Sequence, residues 1–250
     1  MSLAFPLTNS NPNLESSGGM SLLADNLKKV RQRVSAAEKR AGRAAQSVDL
    51  IAVSKTKSPD MVGEAATLGV MSFGENYVQE ALRKIEKCKS LQQSLHFKWH
   101  LIGSLQTNKC KLAVGMFDTI QSVDRVELAQ ALNNRALEAG LVQKIFVQIK
   151  LGDEPSKNGV SPREAPALIE KLREFKNLNL QGLMSLPPIE AEPEASRKYF
   201  IQLRNLRDTL QKNLLLSMGT THDFEIAIEE GADMVRVGTA IFGSREGVGG

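Results

Sequence analysis

The chain has 250 residues, 42% of them hydrophobic and 24% charged, the balance of an ordinary soluble globular protein. Its net charge of +4 comes from dispersed Lys and Arg, and 5% aromatics leave little on which to stack bases, so no nucleic-acid partner is expected. No apolar run approaches the ~18 residues that cross a membrane, and no secretory leader opens the chain, so no membrane partner and a cytoplasmic location are expected.

Residues 1–19, with Pro6, Asn9, Asn11, Pro12 and Ser16-Ser17-Gly18-Gly19, read as a disordered tail. Apolar steps at Leu23, Leu27, Val30, Val34 and Ala37 predict an amphipathic helix stopped by Gly42. Leu50 to Lys55 then reads as a short buried strand that ends in a lysine. Burying an ammonium is costly unless it is paired or loses its charge, and a desolvated lysine is what Schiff-base chemistry with an aldehyde requires.

Further along, Ser58-Pro59 opens a helix that ends at Gly69, and Val70 to Phe73 form a second strand that delivers Gly74-Glu75-Asn76. A long helix follows from Tyr77 to Leu91, then a strand over Trp99 to Gly103 and a short helix from Asn108 to Val114. Phe117 to Val123 is the fourth strand, before a helix over Val126 to Ala139. The fifth strand alternates clearly: Ile145, Val147, Ile149 and Leu151 on one face, Phe146, Gln148 and Lys150 on the other. Ser161-Pro162-Arg163-Glu164 reads as a capping box, which leaves Pro166 awkwardly placed. Strands over Leu180 to Leu186, Leu214 to Met218 and Met234 to Gly238 complete the pattern, separated by helices over Pro193 to Lys212 and Asp223 to Glu230.

Eight strands alternating with helices predict an α/β fold, a single (β/α)8 TIM barrel with an extra N-terminal helix. An open doubly wound sheet would carry a glycine-rich turn after its first strand, where this chain has Lys-Thr-Lys-Ser-Pro. In a barrel, chemistry sits at the C-terminal strand ends. Those ends hold Lys55, Asn76, His100, Lys150 and Met184, then Ser217-Met218-Gly219-Thr220-Thr221 and Arg236-Val237-Gly238-Thr239. The last two groups combine glycine with hydroxyls, a pattern suited to an anion such as phosphate. Arg236 shares a strand face with Met234 and Gly238, which puts a permanent cation in the mouth. An aldehyde-reactive lysine, a phosphate cup and a cation suit pyridoxal 5'-phosphate (PLP). They equally suit an aldolase in which Lys55 or Lys150 attacks a sugar-phosphate carbonyl. Cys88 and Cys110, with His96, His100 and His222, have no metal-ligand spacing, so no metal is expected.

Five motifs in order are Val53-Ser-Lys-Thr-Lys57, Phe73-Gly-Glu-Asn-Tyr-Val-Gln-Glu80, Trp99-His-Leu-Ile-Gly103 with Leu105-Gln-Thr-Asn-Lys109, Leu216-Ser-Met-Gly219 and Val235-Arg-Val-Gly-Thr-Ala-Ile-Phe-Gly243. Over residues 22 to 243 the chain resembles the pyridoxal phosphate homeostasis proteins, single-domain relatives of the alanine racemase N-terminal barrel. The resemblance implies a fold-type III-like, PLP-binding barrel over residues 20–250. In it Lys55 forms the Schiff base, and Ser217, Met218, Gly238 and Thr239 hold the phosphate with nearby backbone N–H groups. Arg236 faces the pyridine nitrogen, Asn76 lies near the ring, and His100 and Met184 line the pocket. The family commonly continues Leu-Ser-Met-Gly with Met-Ser, where this chain has Thr220-Thr221. The implied function is PLP (vitamin B6) homeostasis without vigorous catalysis, by a monomer that delivers cofactor to PLP-dependent apoenzymes. The alternative is a weak PLP-dependent amino-acid racemase. Arginine beside the pyridine nitrogen weakens the ring as an electron sink, and the chain has only Tyr77 and Tyr199 to act as a second acid–base group.

Overall fold

Parallel strands cannot be joined by tight turns, so each strand needs a crossover that carries the chain back along the outside of the sheet. A computed structural model describes residues 21–152 and 158–243 and shows how this chain meets that requirement. Strands β1 (Asp49–Val53), β2 (Ser72–Glu75), β3 (Lys98–Leu101), β4 (Thr119–Val123), β5 (Gln143–Ile149), β6 (Leu178–Ser185), β7 (Leu215–Thr220) and β8 (Met234–Val237) pair in sequence order and close into a barrel. Helix α1 (Leu22–Arg40) precedes them. Helices α2 (Pro59–Thr67), α3 (Val78–Leu95), α4 (Cys110–Ala113), α5 (Val126–Glu138), α6 (Ala165–Leu172), α7 (Arg197–Leu210), α8 (Phe224–Glu229) and α9 (Thr239–Phe242) follow the strands in turn. The expected (β/α)8 barrel is present. The tail 1–19 and residues 153–157 of the loop after β5 lie outside the described residues.

The extra helix α1 has a structural task. At four residues, α9 is too short to cover the seam between β8 and β1. Helix α1 packs Leu23, Leu27, Val30, Val34 and Ala37 inward, lies against α8 and α9, and pairs Arg33 with Glu225 and Arg40 with Glu229 at 2.7 Å each. Asn26 Nδ2 donates to the Ile241 carbonyl at 3.2 Å, which ties α1 to α9.

Burial falls into two layers. Outward-facing strand residues pack under the helices, where Phe73, Phe97 and Trp99 cluster with ring centroids 5.0 to 5.6 Å apart. Inward-facing Ile51, Ile102, Phe146 and Met184 fill the barrel. This explains β5, whose alternation sorts two buried faces rather than a wet and a dry one: Ile145, Val147 and Ile149 lie in the outer layer, Phe146 and Gln148 inside.

Several boundaries shift by a few residues, β1 for example ending at Val53 rather than Lys55, and two of the shifts have clear local reasons. Val70 does not begin β2, because its N–H bonds back to Ala65 O at 3.0 Å while Gly69 N–H bonds Ala66 O. That is the paired C-terminal closure of α2, and it delays the strand to Ser72. Helix α6 starts at Ala165, past the Ser161 box: the Ser161 hydroxyl accepts from Glu164 N–H and donates to the Glu164 carboxylate, holding a separate turn. Pro166 therefore sits in the first turn, where no intrahelical N–H bond is lost.

Gly182 marks a tight approach of two strands, where β6 steps past a register shift in β5. A Cβ there would lie 2.1 Å from the Leu215 carbonyl oxygen and 2.5 Å from the Phe146 ring. Gly182→Ala is expected to cost about 3 kcal/mol through forced backbone movement. The expected signature is a lower urea midpoint at unchanged slope.

Candidate functional site

Closure of the barrel decides which strand ends meet. Strand β8 pairs with β1 in the register Ile51↔Arg236 and Ala52↔Val237, so Val53 and Gly238 come next, side by side. A Cβ on Gly238 would touch the Val53 carbonyl oxygen at 3.4 Å. Lys55 lies two residues beyond β1 with the inward parity of Ile51 and Val53. It is half-buried rather than sealed, and among the described residues no carboxylate pairs with it. Lys150 follows β5, four strands from β1 and two from β7 in the closed order. Lys55, not Lys150, is thus the lysine next to the Gly238 turn.

The turn that carries Lys55 is held from outside the barrel. Ser54 and Glu75 point into the layer beneath α3, and Lys84 reaches down from that helix to meet them. The Ser54 hydroxyl donates to Glu75 Oε1 at 2.6 Å, and Lys84 Nζ donates to the same oxygen and to the Ser54 carbonyl, each at 2.6 Å. Glu80, also 3.3 Å from Lys84 Nζ, accepts the Thr56 N–H at 2.6 Å. Both Glu75 and Lys84 are buried. Burial raises the Glu75 carboxyl above its ordinary value, against the pull of Lys84 and Ser54. Sequence reading passed over this cluster. Its one local signal is the four-residue Glu80–Lys84 spacing, which usually marks an exposed helix pair.

Inside the barrel a second chain of hydrogen bonds crosses from β8 to β3. Arg236 donates to the Ser217 hydroxyl at 2.6 Å and to the Ser185 carbonyl at 2.6 Å. Because arginine can only donate, the Ser217 proton goes to Gln121 Oε1, 2.7 Å away. The Gln121 amide then donates to His100 Nδ1 at 3.1 Å, which requires that nitrogen to be unprotonated. His100 is accordingly neutral, with its value pulled down to about 4, first by burial and then by Lys98 and Lys144. Arg236 Nε and His100 Nε2 are buried without partners among the described residues. Burial draws Arg236 down to about 10, which leaves it charged at neutral pH. Gln121 is a further residue that no sequence signal singled out, since its partners come from β3 and β7.

The other expected residues divide clearly. Asn76 follows β2 with inward parity, half-buried, and its backbone is crowded by Gly103, where a Cβ would lie 2.1 Å from the Asn76 carbonyl oxygen. Met184 lies inside the barrel, in register with Ser217. The Met218 side chain packs in the outer layer, so only its backbone is available to a ligand at the mouth. Thr220 spends its N–H and hydroxyl on Asp223 Oδ1. The Thr221 hydroxyl accepts Gly238 N–H at 3.2 Å and links the two turns, keeping its own proton available. Thr239 is exposed at the start of α9. Lys55, Asn76, Arg236, Ser217, Gly238 and Thr239 thus come together on four adjacent strands, β7-β8-β1-β2.

His100 is a readable reporter of this interior. Its folded-state value lies below the unfolded value near 6.5, so stability is fully present above about pH 6.5 and is lost as pH falls toward about 4. The loss amounts to about 3 kcal/mol. Urea midpoints measured across that range are expected to fall more for the wild type than for His100→Gln.

Residues 24–246 match the family model described as alanine racemase, N-terminal domain. Pyridoxal phosphate homeostasis proteins of Aquifex aeolicus and Pseudomonas aeruginosa are each 42% identical, over 227 and 229 residues. These matches cover 89% and 91% of this chain and 98% and 97% of theirs. Among solved structures, PipY of Synechococcus elongatus with PLP bound is similar at a TM-score of 0.76 and 34% identity, covering 88% of this chain and 100% of that one. An alanine racemase of Clostridium difficile 630 shares the fold alone, at 18% identity and a TM-score of 0.63 over 90% of this chain and 58% of its own. The chain therefore belongs to the pyridoxal phosphate homeostasis protein family, built on the alanine racemase N-terminal barrel.

Proposed function

We propose that this protein holds PLP covalently through Lys55 and serves intracellular PLP (vitamin B6) homeostasis, without vigorous catalysis. The observation that carries the reading is the β8–β1 register, which sets a half-buried lysine, with no carboxylate partner among the described residues, beside a buried arginine and a glycine–hydroxyl turn. PLP supplies an aldehyde for condensation with an amine, on a ring whose nitrogen accepts a hydrogen bond and whose phosphate is anionic. The residues fit that group. The Arg236 Nε–H has no partner among the described residues and is a donor suited to a ring nitrogen. Gly238, Thr239, the Thr221 hydroxyl and the backbone of Met218 form the phosphate end. The Ser217 hydroxyl already orients Arg236 and would have to release Gln121 before donating to phosphate. Asn76 flanks the ring from β2.

The same geometry argues against an efficient enzyme. A permanent guanidinium at the ring nitrogen disfavours protonation there, which weakens the ring as an electron sink. Proton transfer at substrate carbon also needs a free acid–base group. His100 is neutral and tied to Gln121, the Tyr199 hydroxyl donates to Glu190 at 3.0 Å, and Tyr77 is 62% exposed. The reading carries with it a cytoplasmic location, a monomer, and PLP-dependent apoenzymes as recipients. Among the described residues no helix is long and apolar enough to cross a membrane.

Absorption spectroscopy tests the proposal. Protein loaded with PLP is expected to be yellow, to fix a pyridoxyl group on Lys55 after borohydride reduction and peptide mapping, and to leave the α-proton of alanine unexchanged. Lys55→Ala is expected to abolish the fixed label. A label on Lys150, or a protein that takes up no cofactor, overturns the reading, and brisk proton exchange overturns its non-catalytic part.

A further inference from the structure

We propose that the cluster of buried Glu75 and Lys84 with the half-buried Glu80 is the positioning device of Lys55, an inference that rests on the cofactor reading above. Both peptide neighbours of Lys55 are clamped by it. Before Lys55, the Ser54 carbonyl is held by Lys84 Nζ at 2.6 Å and the Ser54 hydroxyl by Glu75, while Ser54 N–H remains in the sheet on the Gly74 carbonyl at 3.0 Å. After Lys55, the Thr56 N–H is held by Glu80 at 2.6 Å. Thr56 needs holding. It is a β-branched residue at φ +63, a conformation that costs free energy and persists only when its surroundings dictate it.

Stability alone does not account for the cluster. A buried ion pair gains little over well-packed apolar side chains, because desolvation offsets the attraction. Glu75 even keeps one oxygen, Oε2, buried without a partner. Such a pair does hold two backbone segments at fixed separation, and here the segments are the end of β1 and the start of α3. The three residues act through Ser54 and Thr56 on the lysine between them. Capture of PLP joins the Lys55 nitrogen to the aldehyde carbon as C=N, and the carbonyl oxygen leaves as water. The attacking amine must therefore stand within reach of that carbon while the phosphate is already seated. Misplacement by about an ångström costs such a step ten- to a hundredfold in rate.

The test compares two ligands that share ring and phosphate. PLP carries the aldehyde, whereas pyridoxine 5'-phosphate carries an alcohol and reports the phosphate and ring contacts alone. Glu80 is one-third exposed, so Glu80→Ala removes the Thr56 clamp without emptying the core, and Glu80→Gln keeps an acceptor oxygen there. Stopped-flow absorbance is expected to show PLP capture slowed about tenfold or more in Glu80→Ala and restored to within about twofold in Glu80→Gln. Affinity for pyridoxine 5'-phosphate is expected to be unchanged in both. Lys84→Met, which strips the Ser54 clamp, is expected to slow capture in the same selective way. Equal losses for both ligands, or wild-type capture by Glu80→Ala, overturn the positioning role. A wild type that binds pyridoxine 5'-phosphate and never captures PLP sinks the cofactor reading itself, and the positioning role with it.

Discussion

The pairing of β8 with β1 is the contact on which the rest of this molecule depends. It joins the two ends of the barrel's sequence, and it alone brings Lys55 beside Arg236 and Gly238. An open sheet with the same strands would leave these residues on opposite edges. Closure also creates a seam that needs cover, and α9 is too short to provide it. Helix α1 does so, with an apolar stripe facing inward and two arginine–glutamate pairs at its rim. The N-terminal helix is thus a consequence of where the site lies.

Two polar devices are built into the buried layers, and they differ in charge. Outside the barrel, the two carboxylates of Glu75 and Glu80 face Lys84, so that charge is met by charge. Inside it, Arg236 is held by a hydroxyl and a carbonyl, with no carboxylate in contact among the described residues. An unmatched buried cation costs several kcal/mol. Strand ends carrying Arg236 and Lys55 suit an anionic ligand that offers a hydrogen-bond acceptor, and a phosphorylated pyridine carries both features. At the neutral end of the same chain, His100 accepts from Gln121 through Nδ1 and keeps its one ring proton on Nε2.

Affinity and reactivity are therefore assigned to different parts of one mouth. In the proposed reading, the β7 and β8 turns and Arg236 recognise ring and phosphate, and the β1 turn presents the amine. The second task depends on residues that touch no ligand, because a lysine side chain is long and flexible and its reach is set by the backbone beneath it. That backbone includes a left-handed threonine pinned by Glu80 from α3. Chemistry at β1 is thereby coupled to the packing of the helix after β2.

The local pattern of the chain was enough to reveal the eight-fold alternation, the two faces of β5, a lysine at the end of the first strand and the glycine–hydroxyl turns after β7 and β8. Period-two and period-3.6 spacing, caps and turns are set by near neighbours in sequence, so one strand or helix carries each signal by itself. Tertiary structure decided the rest. Lys150 and Lys55 look alike as strand-end lysines, and only the closed strand order separates them. Glu75 stands in plain view in Phe73-Gly-Glu-Asn76, yet its meaning depends on Lys84 descending from α3. Gln121 reads as an ordinary strand residue until β3, β4 and β7 are curled around one interior. Met218 sits inside the glycine–hydroxyl turn after β7, but its parity sends its side chain to the outer layer. Partners that meet across a barrel depend on register and closure, and neither is written in any local stretch of sequence.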